Sequence, residues 1–564
     1  MTIETGRALH AGEVVVEALK AEEVDRVYCL PGSHIFQIYD ALRDEPSINL
    51  VTCKLESSTS VMADMHGRLT GRPGVCLVTA GPGAANSLAG VAQAYSAASP
   101  LVHISGAVPI EAGLEAFHGV DETDFVLEMF KKVTKWSVRV ERIEDIPSIM
   151  ARAFKLALSG RSGPVHIEIP RETDTSPCMI QSRPAVVEPY RSEPSEVLPP
   201  SPQDVDRFAR MLLEAKRPLI CAGKGILRRR TTHELAKVSE MLSAPVIYPQ
   251  DSIGVIPHDH PFEAGFFALW SLSPFFVQLM AKSDLLLSVG LRAGTATTTL
   301  MKKHAPRNHI FVGFDSKTDG NYSGENEIVA DPKLFLIALW ERLKDRARST
   351  NVELRRELAR QKQSLKEELD GLLENHRSSN PIHPGFLVET LASLIKRDAI
   401  VVSDVGNCAV WLRNYLPVHT PESHLQSGMW NAMGFSLPSA IVAKMVYPDR
   451  QVVGVTGDGA YLMTVGDFGT TLEQASNVVM VVLNDSAFSM IKKLQTKSFG
   501  RSYGWEITSP NFAEMARTYG AFGIRVEEPS QLADGLKEAL SASGPAVVDI
   551  VTGDFPYPSF ELSG

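Results

Sequence analysis

The chain has no CxxC pair, no apolar run of membrane-spanning length and no long block of lysine or arginine. Its six cysteines (Cys29, Cys53, Cys76, Cys178, Cys221 and Cys408) lie far apart, mostly within apolar stretches such as Gly74 to Val78. Isolated thiols in such settings are expected to be reduced and buried, as in a cytoplasmic protein. The stretch Met1 to His10 includes Glu4 and lacks an apolar core, so a signal peptide is not expected. No run approaches the roughly 18 apolar residues that cross a bilayer. The formal net charge is −10 and Arg228-Arg229-Arg230 is only a small basic cluster. That balance speaks for solubility and against a nucleic-acid or membrane-surface partner. No short repeat marks a solenoid.

What is present is globular material, with 44% hydrophobic and 22% charged residues and frequent glycine and proline. Such a composition belongs to a soluble α/β protein. At 564 residues the chain exceeds what one core organises, so several domains are expected. From Ala11 to about Pro177, helix-like stretches alternate with short apolar runs at Val27–Leu30, Leu50–Cys53, Val75–Thr79, Leu101–Ile104 and Val165–Ile169. This alternation predicts a parallel sheet wrapped by helices. Ser182 to Pro202 holds Pro184, Pro189, Pro194, Pro199, Pro200 and Pro202 and reads as a linker. A second α/β unit, from about Asp204 to Leu343, has strands expected at Leu219–Ala222, Val246–Tyr248, Leu285–Val289 and Ile310–Val312. Glu353 to His376 is highly charged and helical in pattern, a second linker, and Pro381 and Pro384 mark a restart. The third unit, from about Pro381 to Gly564, has strands expected at Ala399–Ser403, Val452–Thr456, Val478–Leu483 and Ala546–Val551. The fold class is α/β, with three parallel-sheet units in series.

Ligands of open α/β sheets bind beyond the carboxyl ends of strands, so chemistry is sought in the loops that follow them. The sharpest signal is Gly457-Asp458-Gly459 taken with Asn484-Asp485. Each acidic residue ends a β-branched run that reads as a buried parallel strand, and adjacent strand ends bring Asp458 and Asp485 together. Two hard oxygen donors beside a glycine that admits a phosphate suit Mg²⁺ or Ca²⁺ holding a diphosphate. Four other loops are unusual: Leu30-Pro31-Gly32-Ser33, Lys54-Leu55-Glu56, Thr79-Ala80-Gly81-Pro82-Gly83-Ala84-Ala85-Asn86 and Asp404-Val405-Gly406-Asn407-Cys408.

In order and spacing these elements, with the run Ala432-Met433-Gly434-Phe435-Ser436-Leu437-Pro438, resemble the thiamine-diphosphate-dependent enzymes of the acetolactate synthase and pyruvate decarboxylase type. The resemblance covers nearly the whole chain. It implies three doubly wound parallel-sheet domains: pyrimidine-binding over residues 1–185, central over 200–345 and diphosphate-binding over 380–564. It also implies thiamine diphosphate and Mg²⁺ as cofactors. Glu56 would hydrogen-bond the aminopyrimidine ring and shift it toward the imino tautomer, whose nitrogen removes the proton from the thiazolium carbon. The plainer reading of Glu56 is an acidic residue in a first helical turn. Met433 matches the bulky residue that sits under the cofactor and bends it, against the commoner use of methionine as a core filler. Asp458 would ligate the metal, with Gly457, Gly459 and Ala460 near the diphosphate and the backbone of Gly406, Asn407 and Cys408 near its other oxygens. Pro31, Gly32, Gly83 and Asn86 complete the cofactor-binding positions. Asp485 falls where relatives usually carry Asn as second ligand, and the carbonyl of Ala487 would follow. Asn484 is the alternative to Asp485.

On the substrate side, His118 falls where acetolactate synthases carry Gln and simple 2-oxo-acid decarboxylases carry His ahead of a Phe, here Phe125. It is read as a catalytic position that shuttles a proton or holds a carboxylate, beside the plainer reading of a packed loop residue. Leu494 replaces a Trp of acetolactate synthases, and Lys492 and Lys493 are read as a solvated helix face in preference to an anion site. Ala222-Gly223-Lys224-Gly225 and Gly290-Leu291-Arg292 stand where relatives hold FAD or ADP. Ala264-Gly265-Phe266-Phe267-Ala268 lacks the Met-His-Gly pattern of flavin-binding members, so bound FAD is left open but not expected, and a vestigial nucleotide site is preferred.

The implied reaction is decarboxylation of a small-molecule 2-oxo acid with carboligation of the enamine to an acceptor carbonyl, as in acetolactate synthase. A simple 2-oxo-acid decarboxylase is the alternative, as is a 2-hydroxyacyl-CoA or acyloin lyase, for which Lys224 and the Arg228 cluster are a hint of a CoA phosphate. A non-catalytic thiamine-diphosphate-binding paralogue is the remaining reading, against which Glu56, Asp458 and Met433 speak. A homodimer or homotetramer with sites shared between subunits follows from the resemblance.

Overall fold

In the computed structural model, residues 9–109, 117–170, 177–178, 198–268, 273–292, 294–314, 326–346 and 351–558 are described, without side chains at 177, 178, 295 and 296. Every strand expected from the sequence lies in one of three six-stranded parallel sheets. The chain divides into two compact units. The first comprises Met1–Glu196, Ser427–Asp449 and Ala460–Val478 and the second Val197–Gln426, Arg450–Gly459 and Val479–Gly564.

The first unit's sheet runs, edge to edge, Asn49–Thr52, Arg26–Cys29, Gly74–Val78, Leu101–Ala107, Pro164–Pro170 and Ser137–Arg139. Counted along the chain, that is the order second, first, third, fourth, sixth, fifth. In the second unit one sheet runs Glu263–Phe267, Val246–Pro249, Pro218–Ala222, Leu285–Val289, His309–Gly313 and Asn326–Val329, the order third, second, first, fourth, fifth, sixth. The other runs His424–Gln426, Ile400–Ser403, Val452–Gly457, Val479–Asn484, Ala546–Val551 and Phe522–Val526, and repeats the order of the first unit's sheet. The expected likeness of the third unit to the first is thus a likeness of topology. Strand order reverses between Arg26–Cys29 and Gly74–Val78, between Pro218–Ala222 and Leu285–Val289, and between Ile400–Ser403 and Val452–Gly457. Such reversals open a crevice at the carboxyl ends, and glycine-rich or acidic motifs foreseen from the sequence flank each one.

Both faces of a parallel sheet are covered, so its central strands carry continuous apolar runs. In strand Pro218–Ala222, Ile220 and Ala222 pack into one core with Phe208, Leu235 and Phe335, whereas Leu219 and Cys221 join Phe276, Met280 and Phe311 on the opposite face. Five strands were not foreseen: Ser137–Arg139, Glu263–Phe267, Asn326–Val329, His424–Gln426 and Phe522–Val526. All five are sheet edges, where one side meets no neighbour and the apolar run is diluted by residues such as Ser137, Arg139 and Arg525. A short antiparallel pairing of Leu9–His10 with Pro177–Cys178 was also missed.

Most of the proline-rich stretch lies outside the described residues, but Pro202 is not a breaker. It opens helix Pro202–Glu214 at the first turn, where its missing N–H costs nothing, and the preceding Ser201 hydroxyl accepts the Asp204 N–H at 3.0 Å. Pro384 opens helix Pro384–Leu394 in the same way, and the charged linker is helix Val352–Glu374. Cys29, Cys53, Cys76, Cys221 and Cys408 are buried free thiols, as expected. The Cys178 side chain lies outside the described residues. No described helix is long and apolar enough to cross a membrane.

The first unit buries two histidines beside Phe130. His166 bonds Ser105 at 3.0 Å and Ser137 at 2.9 Å, and His103 bonds Ser87 at 2.7 Å, with the imidazoles 5.1 Å apart. Burial holds His103 down at about 3 and pushes His166 well below the ordinary imidazole range. Below about pH 6.5 the unfolded chain takes up protons that the folded state refuses. Each histidine therefore costs about 1.4 kcal/mol per pH unit from there downward, until its folded value is reached. A His103→Gln/His166→Gln protein is expected to show a shallower fall in melting temperature from pH 7 to pH 5 than the parent. Equal slopes would contradict this account.

Candidate active site

The first unit gathers its foreseen residues at the reversal between Arg26–Cys29 and Gly74–Val78. Glu56 is the first residue of helix Glu56–Thr70, half-buried, and its Oε2 accepts the Asn86 amide at 3.1 Å. Gly83 stands in the first turn of helix Pro82–Ala97, where a Cβ would lie 3.6 Å from Glu56 Oε1 and 2.8 Å from Thr79 Cγ2. A Cβ on Gly32 would fall 2.3 Å from Thr79 Cβ, so glycine is required there by close approach of the two loops, whatever binds. Pro31 beside it is exposed. The Thr79 hydroxyl between these glycines is buried without a hydrogen-bond partner among the described residues. An orphaned polar atom next to a carboxylate and an amide is a place where a polar ring could bond.

His118 belongs to the same neighbourhood. Its carbonyl occupies the space a Gly81 side chain would need, 2.1 Å from that Cβ position, and its ring stacks on His34 at 4.9 Å and lies tilted to Phe117 at 4.1 Å. Its own φ is +67°, and Nδ1 is buried without a hydrogen-bond partner among the described residues. The structure therefore puts His118 against Gly81, at the start of helix Pro82–Ala97, rather than on an open surface. Phe125 opens helix Phe125–Lys131. Met433 is 37% exposed in the loop before helix Ser436–Val446, so it is not a buried core filler. Ala460 is buried.

In the second unit one of the two reversals lies between Ile400–Ser403 and Val452–Gly457. Asp404 ties the two loops: its carboxylate accepts the Val405 N–H at 2.8 Å and the Thr456 hydroxyl at 3.2 Å. Gly406, with φ +123°, precedes helix Asn407–Tyr415, and a Cβ on Gly406 or Gly457 would meet nothing within 4 Å. An open cradle of backbone at a helix start suits a phosphate. Asn407 Oδ1 accepts the Trp411 indole N–H at 3.1 Å, and the buried Cys408 thiol faces the Asp404 carbonyl at 3.5 Å, so Cys408 would serve a ligand through its main chain. Gly459 is crowded, its Cβ position lying 2.6 Å from the Phe488 ring.

Asp458 is 1% exposed; Oδ1 accepts the Gly459 N–H at 2.8 Å and Oδ2 the Ser509 hydroxyl at 2.6 Å. Burial pushes its carboxyl above the usual range. Asp485, bonded to Ser489, is pushed up to about 6, first by burial and then, against the Ser489 bond, by the charge of Asp458. A buried carboxylate and a half-buried one whose ionisation it opposes form a donor set that a hard dication completes. Asn484 points elsewhere, its amide donating to Asp549 at 2.9 Å and to the Pro510 carbonyl at 3.3 Å, so Asp485 is the side chain that faces Asp458. Ala487 bridges to Glu506 across the loop that follows. No group of three His, Cys, Asp or Glu side chains suited to a metal occurs among the described residues, so main-chain and ligand oxygens would have to supply the rest.

Two substrate-side expectations need correction. Lys493 is not on a solvated face: its side chain is 14% exposed and pairs with Asp554, as does Lys492 at 2.9 Å. Burial lowers the Lys493 ammonium to about 8. Lys224 pairs with Asp251, Arg228 with Glu422 and Arg229 with Asp331, at 3.1, 3.6 and 2.9 Å, so these cations have carboxylate partners inside the unit rather than waiting for a CoA phosphate. Gly223 and Gly225 are explained by packing, since their Cβ positions lie 2.3 Å from the Gly290 carbonyl oxygen and 2.8 Å from its Cα. Ala264–Ala268 falls on an edge strand and the residue after it. Asp404 was noticed only as a loop residue and Ser509 not at all. A carboxylate at the end of an apolar strand was the available signal for Asp404, whereas Ser509 is remote in sequence and carried none.

Comparisons with known proteins agree with this arrangement. Residues 9–125, 205–339 and 404–550 match families described as thiamine pyrophosphate enzyme N-terminal TPP binding, central and C-terminal TPP binding domains. A probable acetolactate synthase large subunit of Methanococcus aeolicus is 31% identical over 561 residues, 96% of this chain and 92% of that protein. Acetolactate synthase isozyme 3 large subunit of Escherichia coli is 31% identical, covering 94% and 92%. The chloroplastic acetolactate synthase of Arabidopsis thaliana is 29% identical, covering 96% and 81%.

Proposed function

The chain belongs to the acetolactate synthase large-subunit family of thiamine pyrophosphate enzymes, and from that premise we propose that it decarboxylates a 2-oxo acid and joins the remaining fragment to an acceptor carbonyl. The observation that carries the reading is Glu56 at a helix start, bonded to Asn86 beside the orphaned Thr79 hydroxyl, in a chain that also holds the Asp458–Asp485 pair. Thiamine diphosphate, when bound, supplies the carbanion and the electron sink through which a 2-oxo acid loses CO₂. The protein's part is binding, orientation and proton transfer. Glu56 exchanges a proton with the pyrimidine ring while Asn86 fixes its Oε2. Pro31, Gly32 and Gly83 would line the ring, and Met433 would support it. Mg²⁺ would be held by Asp458, Asp485 and the carbonyl of Ala487, and the main chain at Gly406, Asn407, Cys408, Gly457, Gly459 and Ala460 would receive the diphosphate. His118 faces the substrate.

Domain limits of 1–185, 200–345 and 380–564 belong to the same reading, as do a cytoplasmic location and a homodimer or homotetramer. Phe117, Met429, Trp430 and Met463 are large exposed apolar side chains that a second subunit would cover. The test is product identity. The purified protein with thiamine diphosphate, Mg²⁺ and pyruvate is expected to yield a 2-hydroxy-3-keto acid, and aldehyde as sole product would replace the carboligase with a simple decarboxylase.

A further inference from the structure

Glu56 starts its helix without help from its own neighbour: the residue before it is Leu55, whose extended backbone (φ −147°, ψ 137°) offers no side-chain cap. A helix start normally takes an oxygen acceptor at that place. No side chain replaces that cap; instead a carboxylate from a distant segment of the same compact unit binds the turn on either side of Glu56. Asp467, 1% exposed, takes the Lys54 N–H on Oδ1 at 2.7 Å and the Ser58 hydroxyl on Oδ2 at 2.5 Å. Its two oxygens therefore bracket Glu56, two residues before it and two residues after. The bracket is part of a longer seam. Thr470 Oγ1 donates to the Thr52 carbonyl at 2.8 Å, Lys54 Nζ pairs with Glu473 at 2.8 Å and Asn49 bonds Gln474 at 2.9 Å.

We propose that Asp467 is a positioning residue for Glu56, fixing the turn from which the Glu56 side chain leaves the backbone. This rests on the reading of Glu56 as the group that exchanges a proton with the pyrimidine ring. A carboxylate held by backbone on both sides loses little orientation when the ring binds, and a displacement on the order of 1 Å at a proton-transfer group is enough to cost up to about 100-fold. Asp467 itself lies buried against Lys54 and Ser58, and its role is confined to geometry.

The test compares five variants by two readouts: backbone amide exchange over residues 53–59 in the ligand-free protein, and exchange of the thiazolium C–H proton of bound thiamine diphosphate in D₂O. Asp467→Ala is expected to speed amide exchange at Lys54 and slow the cofactor proton about tenfold, with cofactor affinity changed less than about threefold. Asp467→Asn keeps an acceptor for Lys54 and an amide for the Ser58 oxygen, and is expected to restore the cofactor rate to within about threefold of the parent. Asn49→Ala cuts the same seam away from Glu56 and is expected to leave that rate unchanged. If Asp467→Ala does not fold, Ser58→Ala carries the test, with an expected loss of about threefold. Parent-like exchange in Asp467→Ala, or in Ser58→Ala where it stands in, would overturn the proposal, as would equal damage from Asp467→Asn or Asn49→Ala. Glu56→Gln separates the layers. A slowed cofactor proton in Glu56→Gln with none in Asp467→Ala removes the positioning role alone, whereas a parent-like rate in Glu56→Gln removes the reading of Glu56 as well.

Discussion

Turnover in a Glu56→Gln protein is expected to fall by about three orders of magnitude, within the range of about 10² to 10⁴ that a positioned acid–base group contributes. Glutamine keeps the length and one acceptor oxygen, so the Asn86 bond and the start of helix Glu56–Thr70 are preserved. What is lost is the exchangeable proton. The loss should therefore fall on kcat, while cofactor binding measured by calorimetry changes little. A variant that retains more than a tenth of the parent's turnover would remove Glu56 from the chemistry and leave it as an ordinary first-turn acid.

Asp458→Asn is expected to weaken Mg²⁺ binding by about 100-fold or more, and with it the retention of thiamine diphosphate, because a ligand matters at least as much as the outer partners whose loss costs 10- to 100-fold. The substitution keeps an oxygen for the Gly459 N–H, so folding is spared. It also removes the charge that helps hold Asp485 up at about 6. Titration of the ligand-free protein with Mg²⁺ and cofactor, followed by calorimetry, reads the effect directly. Unchanged affinity would show that the dication, if bound, sits elsewhere than between Asp458 and Asp485.

The core of the fold was legible because central strands of a parallel sheet carry nearly continuous apolar runs, as Leu285–Val289 does but for Ser288 and Val479–Asn484 does up to its last residue. Edge strands escaped for the opposite reason: Phe522–Val526 is only half-buried over most of its length, and nothing in its composition separates it from a loop. At the site, residues next to a strand end were legible, since glycine and carboxylate stand out there. Groups that act from a distance were not. Ser509 on Asp458 and Asp467 on the Glu56 turn are partners across 51 and 413 or fewer residues of chain, and only the three-dimensional arrangement joins them. Lys493 was misread because adjacent lysines on a helix usually face water, and Asp554, which buries it, lies beyond the reach of helical periodicity.

The most direct test of the central claim is the ratio of CO₂ released to pyruvate consumed by the purified protein with thiamine diphosphate and Mg²⁺. Carboligation to a second pyruvate predicts one CO₂ for every two pyruvates, with the remaining carbon recovered in a single hydroxy-keto acid. One CO₂ for every pyruvate, with acetaldehyde as the balance, would contradict it.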